Sequence, residues 1–452
     1  MKGLLSTLKQ QNRDLRRLRK QSSELQRIRG QISLNTPMPF SEAENSPTPD
    51  DGTTAEVFAI RDFAECLYEG LALTADCSCH NVNLRLEGMS FHQNAKDNSA
   101  SRTTFQLVIS PGNYRTSPND VSDCVCLLVQ SERRMEGGGA ANVLPASAQS
   151  TVGPSWKRKA SDHFSSDTTN PKRTNQIVRY NMMMNASPLS ASNNRMPSTS
   201  LNITSLCSAL KSAGPRSQSR HCLGFIGNKN MSCQHLLYME PDFYPSSSRL
   251  SLSNLLSASG RQHLPPPSER LRMAPILALS ILQFGSFSSS WFQEHWRSRD
   301  IFFFLNERIS NRCGRAAATS ASLSLAPYIT PFFGLPQLQP SRRIARNNQL
   351  FSLALVLSEI AFGMTLPEIP SPNNIPNFAE DDSILEYLKL KEIVDTKRLE
   401  GQVSRKYAKV VEQCFYCDFG LGGDFTKKDL QKAFLRNVVG KLQECVRVLD
   451  ED

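Results

Sequence analysis

Sulfur and imidazole are the side chains whose spacing in this chain could bind a metal ion. Cys77-Ser78-Cys79-His80, Cys124-Val125-Cys126 and Cys414-Phe415-Tyr416-Cys417 each offer donors, but tetrahedral zinc needs four that converge. The first two groups could meet only if their strands pair. In a strand, moreover, a Cys-x-Cys sends both thiols to one face, where cysteine usually serves as a small apolar residue. Cys414 and Cys417 fall in a helical stretch. Hydrolysis has no better basis, because no Gly-x-Ser-x-Gly turn is present to expose a serine nucleophile. Gly137-Gly138-Gly139 is a bare triplet in linker sequence, not a set of glycines spaced between two strands to cover a phosphate. No catalytic, cofactor-binding or metal-ligating residue is therefore assigned, and no cofactor is expected.

The chain that would have to position such groups has 452 residues, 39% of them apolar and 23 of them Phe, enough for two or three domains with a real core. A net charge of +10 over that length fits solubility and a few basic segments, so nucleic acid is not the expected partner. The chain opens Met1-Lys2-Gly3 with no apolar signal segment, and its 12 Cys are expected as thiols in a reducing compartment. The most apolar run, Met273 to Phe284, has 12 residues, whereas a bilayer needs about 20. No transmembrane segment is expected.

Residues 1–33 read as one basic helix. Leu8, Gln11, Leu15, Leu18, Ser22, Leu25, Arg29 and Ile32 form a leaky heptad seam, and nine basic residues face only Asp14 and Glu24. Without a capping signal before it, this helix is expected to be the remnant of a helical domain that begins outside the chain. Residues 34–54, with four Pro between Thr36 and Thr54, read as a linker. Thr53 or Thr54 then caps a helix whose buried face is Val57, Ile60, Phe63, Ala64, Leu67, Tyr68 and Leu71. Val82 to Leu86, Thr104 to Ile109 and Cys124 to Val129 have strand composition, with turn signals at Pro111-Gly112 and Pro118-Asn119-Asp120. Residues 133–200 are too poor in apolar residues to offset their ordering entropy and read as a disordered insertion. The insertion carries Lys157-Arg158-Lys159 and Lys172-Arg173, similar to a bipartite nuclear-import signal.

Ile203 to Leu210 reads as a short helix. Cys222 to Ile226 and Gln234 to Tyr238 read as a hairpin through Gly227-Asn228-Lys229-Asn230, and Leu250 to Leu256 as another short helix. A longer helix spans about Ser268 to Phe284, with Leu271, Ile276, Leu279, Ile281 and Leu282 as apolar candidates. Pro275 costs it a hydrogen bond unless it lies in the first turn. Ile301-Phe302-Phe303-Phe304 is strand-like, Gln349 to Ile360 is a buried helix ended by Gly363, Tyr407 to Phe419 is amphipathic, and Phe425 to Leu449 reads as a terminal helix pair.

In order, the hairpin, short helix, long helix and apolar strand resemble the hinge and C-lobe of a protein kinase. The resemblance puts a kinase's catalytic Asp position at His295 and its metal-binding Asn at Asp300, immediately before Ile301. Where a Lys would follow two residues after the catalytic position stands Arg297, and no Asp-Phe-Gly appears between Phe304 and Pro327. No Val-Ala-Ile-Lys-like strand supplies a phosphate-pairing Lys. Gln349-Leu350-Phe351-Ser352-Leu353-Ala354 resembles the kinase Asp-x-Trp-Ser-x-Gly helix with the Asp, Trp and Gly replaced, while Ser352 and Glu359 match. The strings Cys-Leu-Gly-Phe, Arg-Asp-Ile-Phe-Phe and Leu-Phe-Ser-Leu-Ala-Leu-Val-Leu-Ser-Glu are similar to those of an uncharacterised filamentous-fungal family. Its members carry a degenerate kinase-like C-terminal domain and sometimes an N-terminal HeLo-like helical domain.

The expected fold is α+β: a degenerate protein-kinase-like fold with a small antiparallel N-lobe sheet and a mainly helical C-lobe, preceded by a basic helix. Residues 55–132 supply the N-lobe-like helix and strands, 201–262 the hairpin and hinge-like region, and 263–452 the helical C-lobe-like region. The resemblance implies a non-catalytic pseudokinase-like interaction or signalling module with protein partners, linked to fungal self/non-self or cell-death pathways. Two alternatives stand beside it. One is an atypical kinase or nucleotide-binding switch using Asp300 as metal ligand, and the other is a nuclear nucleic-acid-associated protein. The expected location is the cytoplasm, with the nucleus as the alternative.

Overall fold

The computed structural model describes residues 51–75, 80–87, 89–93, 101–112, 124–133, 202–213, 220–227, 232–240, 245–285, 291–306, 322–323, 326–331, 333, 345–373 and 383–451. The basic helix expected at 1–33, the insertion at 133–200 with its basic clusters, Gly137 to Gly139, and Cys77 and Cys79 lie outside the described residues.

Helix α1 (Asp51–Thr74) starts a few residues before the expected cap and takes in the end of the expected linker. Its predicted stripe is the buried one: Val57, Ile60, Phe63, Ala64, Leu67 and Leu71 are in the core, and Tyr68 is half-buried against it. The strands follow as β1 (His80–Arg85), β2 (Ser90–Gln93), β3 (Ser101–Pro111) and β4 (Val125–Arg133). After the short helix α2 (Leu206–Ser212), capped by Ser205, come β5 (His221–Ile226), β6 (Cys233–Met239) and β7 (Pro245–Ser251). The hairpin β5–β6 forms as expected, with Cys222 opposite Tyr238. Ile203 lies outside the helix, in a stretch that bridges to β5 through Asn202 and Phe225.

The sheet is larger than the small one expected. Among the described residues ten strands, all paired antiparallel, run in the order β5-β6-β4-β3-β1-β10-β8-β7, with β2 on β3 and β9 on β8. Strands β8 (Ile301–Asn306), β9 (Ser322–Leu323) and β10 (Tyr328–Ile329) come late in the chain, yet β10 zips onto β1 with Leu84 opposite Ile329 and Arg85 opposite Tyr328. The period of two sorts the faces. Val82, Leu84, Phe105, Leu107, Ile109, Ile301, Phe303 and Ile329 join the main core with α1, while Val108, Cys124, Phe304 and Tyr328 cluster separately. Strand β7 begins Pro-Ser-Ser-Ser, without the alternation that marks a strand, and was not expected. It takes Leu250 and Ser251 out of the expected short helix, which shrinks to α3 (Leu252–Leu256) because Ser251 caps it by accepting from Asn254 N at 3.1 Å.

Helix α4 (Pro267–Phe284) uses Pro267 at its first position, where no N–H is needed. Pro275 therefore sits in its interior, where the lost hydrogen bond and the ring's clash with the preceding turn together cost about 3 kcal/mol. Burial of Leu271, Met273, Leu277, Ile281 and Leu282, at about 1.5–3 kcal/mol for each large side chain, outweighs that cost. Ile276 and Leu279, expected in the core, are only half-buried, because the buried stripe runs through Leu277 and Ala278. Helix α5 (Asn348–Phe362) is buried along almost its whole length, and Gly363 ends it at φ 66°. The left-handed backbone at Gly363 favours glycine there, and a Cβ would also push aside the Arg270 guanidinium, whose Nη1 would stand 1.9 Å away.

Around α5 lie α6 (Ser383–Asp395), α7 (Arg398–Gln402) and α8 (Arg405–Tyr416). The Tyr407 hydroxyl on α8 donates to Leu357 O on α5 at 2.8 Å. Cys417 is the left-handed cap of α8 at φ 49°, not a helical residue. In place of a terminal helix pair, α9 (Lys428–Phe434), a π-turn (Leu435–Gly440) and α10 (Lys441–Glu451) form one continuous run. The wider turn keeps Leu435, Val438 and Val439 all in the core. Among the described residues no helix is long and apolar enough to cross a membrane.

Candidate functional site

The polar residues with a possible chemical role gather in the turn between α4 and β8, and the apolar residues around them fix that turn. Trp291, Phe292 and Trp296 are fully buried, and Trp291 Nε1 donates to Ala64 O on α1 at 2.9 Å. Between these anchors the polar side chains turn toward α5 and α6. Asn348, at the start of α5, donates to Glu294 Oε1 at 2.6 Å and lies 3.4 Å from His295 Nε2. Burial holds the His295 imidazole below its ordinary pKa, and the carboxylate of Glu294 opposes that shift. His295 is thus a half-buried imidazole biased toward neutrality.

Arg297 lies deeper. Its guanidinium makes a bidentate pair with Glu386 on α6, Nε to Oε1 at 3.1 Å and Nη2 to Oε2 at 2.6 Å. Its Nη1 donates to Ser352 Oγ on α5 at 2.8 Å and to Trp296 O at 2.9 Å. The Arg297 and Glu386 side chains are only 8% and 4% exposed, so each charge depends on the other for its solvation. The Arg297 backbone N–H donates to Asp300 Oδ2 at 2.8 Å, which closes the short 3-10 turn before β8. The carboxylate expected at a metal position thus caps a turn.

The two α5 residues that match the kinase pattern both make buried contacts. Ser352 holds Arg297, and Glu359 Oε1 accepts from Leu366 N at 2.8 Å. Gln349, at the position of the lost Asp, does not make the tether to the loop. That contact falls to Asn348, one residue earlier.

A second polar cluster, which sequence reasoning missed, crosses the sheet where β1, β3, β7 and β10 meet. Asn83 is fully buried, and its amide donates to Val108 O at 2.9 Å and Ser110 Oγ at 3.0 Å. Its oxygen accepts from Thr330 Oγ1 at 2.7 Å and from Arg249 Nη1 at 3.5 Å. Arg249 lies over the Phe302 ring, 4.4 Å from its centroid. The only sequence signal was one Asn interrupting Val82-Asn83-Leu84.

Cys124, Cys126, Cys414 and Cys417 behave as buried thiols. Cys126 accepts from Gln106 Nε2 at 3.2 Å, and burial pushes its pKa up to about 12. Burial also raises Cys414 and Cys417. Among the described residues no three His, Cys, Asp or Glu side chains converge as a metal site would need.

No curated protein and no solved structure matches the chain. The family described as "Domain of unknown function (DUF7580)" matches residues 164–447, from ahead of α2 into α10, while α1 and β1 to β4 precede the match. With well over half of its length inside that match, the chain belongs to the DUF7580 family.

Proposed function

We propose that the chain is a non-catalytic, pseudokinase-like interaction or signalling module that works through protein partners. The observation that carries this reading is the orientation of Arg297. In the kinase resemblance it occupies the position of a Lys near the transferred phosphate, but here its guanidinium points inward to Glu386 and Ser352. Redirecting it toward a nucleotide would leave Glu386 buried without its cation, a state that costs about 3–5 kcal/mol. The pairing of β10 with β1 on one side and β8 on the other supports the same reading, since strands so paired lie only about 4.8 Å apart and a nucleotide cannot lie between them. A link to fungal self/non-self or cell-death signalling rests on the family resemblance alone.

Calorimetric titration of the purified full chain with ATP, with and without magnesium, tests the proposal. The expected result is no saturable heat up to millimolar ATP. Saturable magnesium-dependent binding that Asp300→Ala abolishes would replace this reading with the nucleotide-switch alternative.

A further inference from the structure

Two thiols far apart in the chain meet where α1 crosses the hairpin β5–β6. Cys66 projects from α1 and is partly exposed, whereas Cys233, the first residue of β6, is buried. Ser232 lies between them, its Oγ 3.2 Å from Cys66 Sγ and 3.7 Å from Cys233 Sγ. Both thiols thus contact the same Ser232 hydroxyl. Both are reduced in the structure.

We propose that Cys66 and Cys233 form a reversible oxidation site for hydroperoxides, Cys66 being the sulfur attacked and Cys233 the resolving thiol. The Cys66 thiolate attacks the distal peroxide oxygen, the O–O bond breaks, and the departing alkoxide or hydroxide takes a proton from water. Cys66 becomes a sulfenic acid. Cys233 sulfur then attacks Cys66 sulfur, the S–O bond breaks, and the Cys233 proton leaves with the hydroxide as water. In balance, two thiols and one hydroperoxide give one disulfide, one alcohol or water, and one further water.

The assignment of roles follows from access and polarity. Only Cys66 of the pair is open to solvent, as the attacking sulfur must be. Hydrogen bonds from Cys233 and Ser232 favour its thiolate and bring its pKa down to about 7, against opposition from burial and from the carboxylates of Glu69 and Asp62. Cys233, as donor in that contact, is pushed the other way. The disulfide would join α1, which precedes the family match, to a strand inside it, closing a loop of about 167 residues.

The test uses the reduced full chain treated with one equivalent of hydrogen peroxide near neutral pH, followed by thiol blocking, proteolysis and mass spectrometry. A peptide pair linked through Cys66 and Cys233 should appear before Cys445 is modified, and dithiothreitol should remove it. Cys445 is a suitable reference because it is also partly exposed, but its thiol is held up by burial. In Cys233→Ser, dimedone should trap a sulfenic acid at Cys66. Oxidation of Cys445 while Cys66 and Cys233 both remain alkylatable would overturn the proposal, and that measurement needs no substitution.

Discussion

Helix α5 and strand β1 each lie at the centre of their half of the molecule, but they reach their neighbours differently. The neighbours of α5 are α4, α7 and α8, all inside the family match, and its own run of Leu, Val and Phe is buried almost without interruption. Strand β1 has Ile109 opposite Val82 on one side and Ile329 opposite Leu84 on the other. Its two partners therefore come from before and within the family match. The surroundings of α5 come from inside the matched region, whereas the sheet half cannot be completed from it, and α4 itself packs against α1 ahead of the match.

The largest expected effect tests that difference directly. A fragment of residues 164–452 lacks β1 to β4, so β6 and β10 lose their neighbours in the middle of the sheet. It should show no cooperative thermal transition by circular dichroism, while a fragment starting at residue 51 should melt cooperatively. Cooperative melting of the shorter fragment would mean that the sheet half is not built as described.

Next in size is the buried ion pair that ties the α4–β8 turn to the helical half. Glu386→Ala leaves the Arg297 guanidinium buried without its carboxylate and should cost about 3–5 kcal/mol in urea unfolding. The double variant Arg297→Met with Glu386→Leu should recover much of that loss. A cost below 1 kcal/mol for the single variant would place the pair in solvent.

The smallest of the three effects lies in the sheet half. His235 on β6 is fully buried with its Nδ1 2.7 Å from Ser131 Oγ, and burial holds its pKa down to about 4. The unfolded chain takes up that proton near pH 6.5, so stability from this group is fully present above about pH 6.5 and is lost as pH falls toward 4. The loss amounts to roughly 3 kcal/mol. Urea midpoints measured between pH 7.5 and 4.5 should fall accordingly, and His235→Gln should flatten the upper part of that decline. An unchanged slope in the variant would assign the acid sensitivity to the carboxylates instead.

Much of the fold was legible wherever one segment carried its own signal. The stripe of α1, the alternation in β1, β3 and β4, the β5–β6 hairpin and the apolar run of α5 with Gly363 after it are all local patterns. Strand β7 was hidden because its opening Pro-Ser-Ser-Ser has no alternation and its closing residues Arg249 to Ser251 depend on Phe302 to Phe304 for their pairing. The π-turn was hidden because Leu435 to Gly440 has ordinary helical composition and only tertiary packing selects the wider turn. At the site, His295, Arg297 and Asp300 could be located from the apolar strand that follows them. Glu386 could not, since nothing local marks a carboxylate that will meet a guanidinium 89 residues away. The thiol pair was invisible for the same reason, and Cys66 and Cys233 belong to none of the local cysteine motifs.

The seam between β1 and β10 also has a consequence during synthesis. At about 5–20 residues per second, a ribosome needs on the order of tens of seconds to advance from Leu84 to Ile329. Strand β1 can pair with β3 early, but its other edge must wait for that whole interval, presenting unpaired backbone groups of the kind that recruit foreign strands. Nascent chains paused before residue 329 should therefore be the forms most dependent on chaperones.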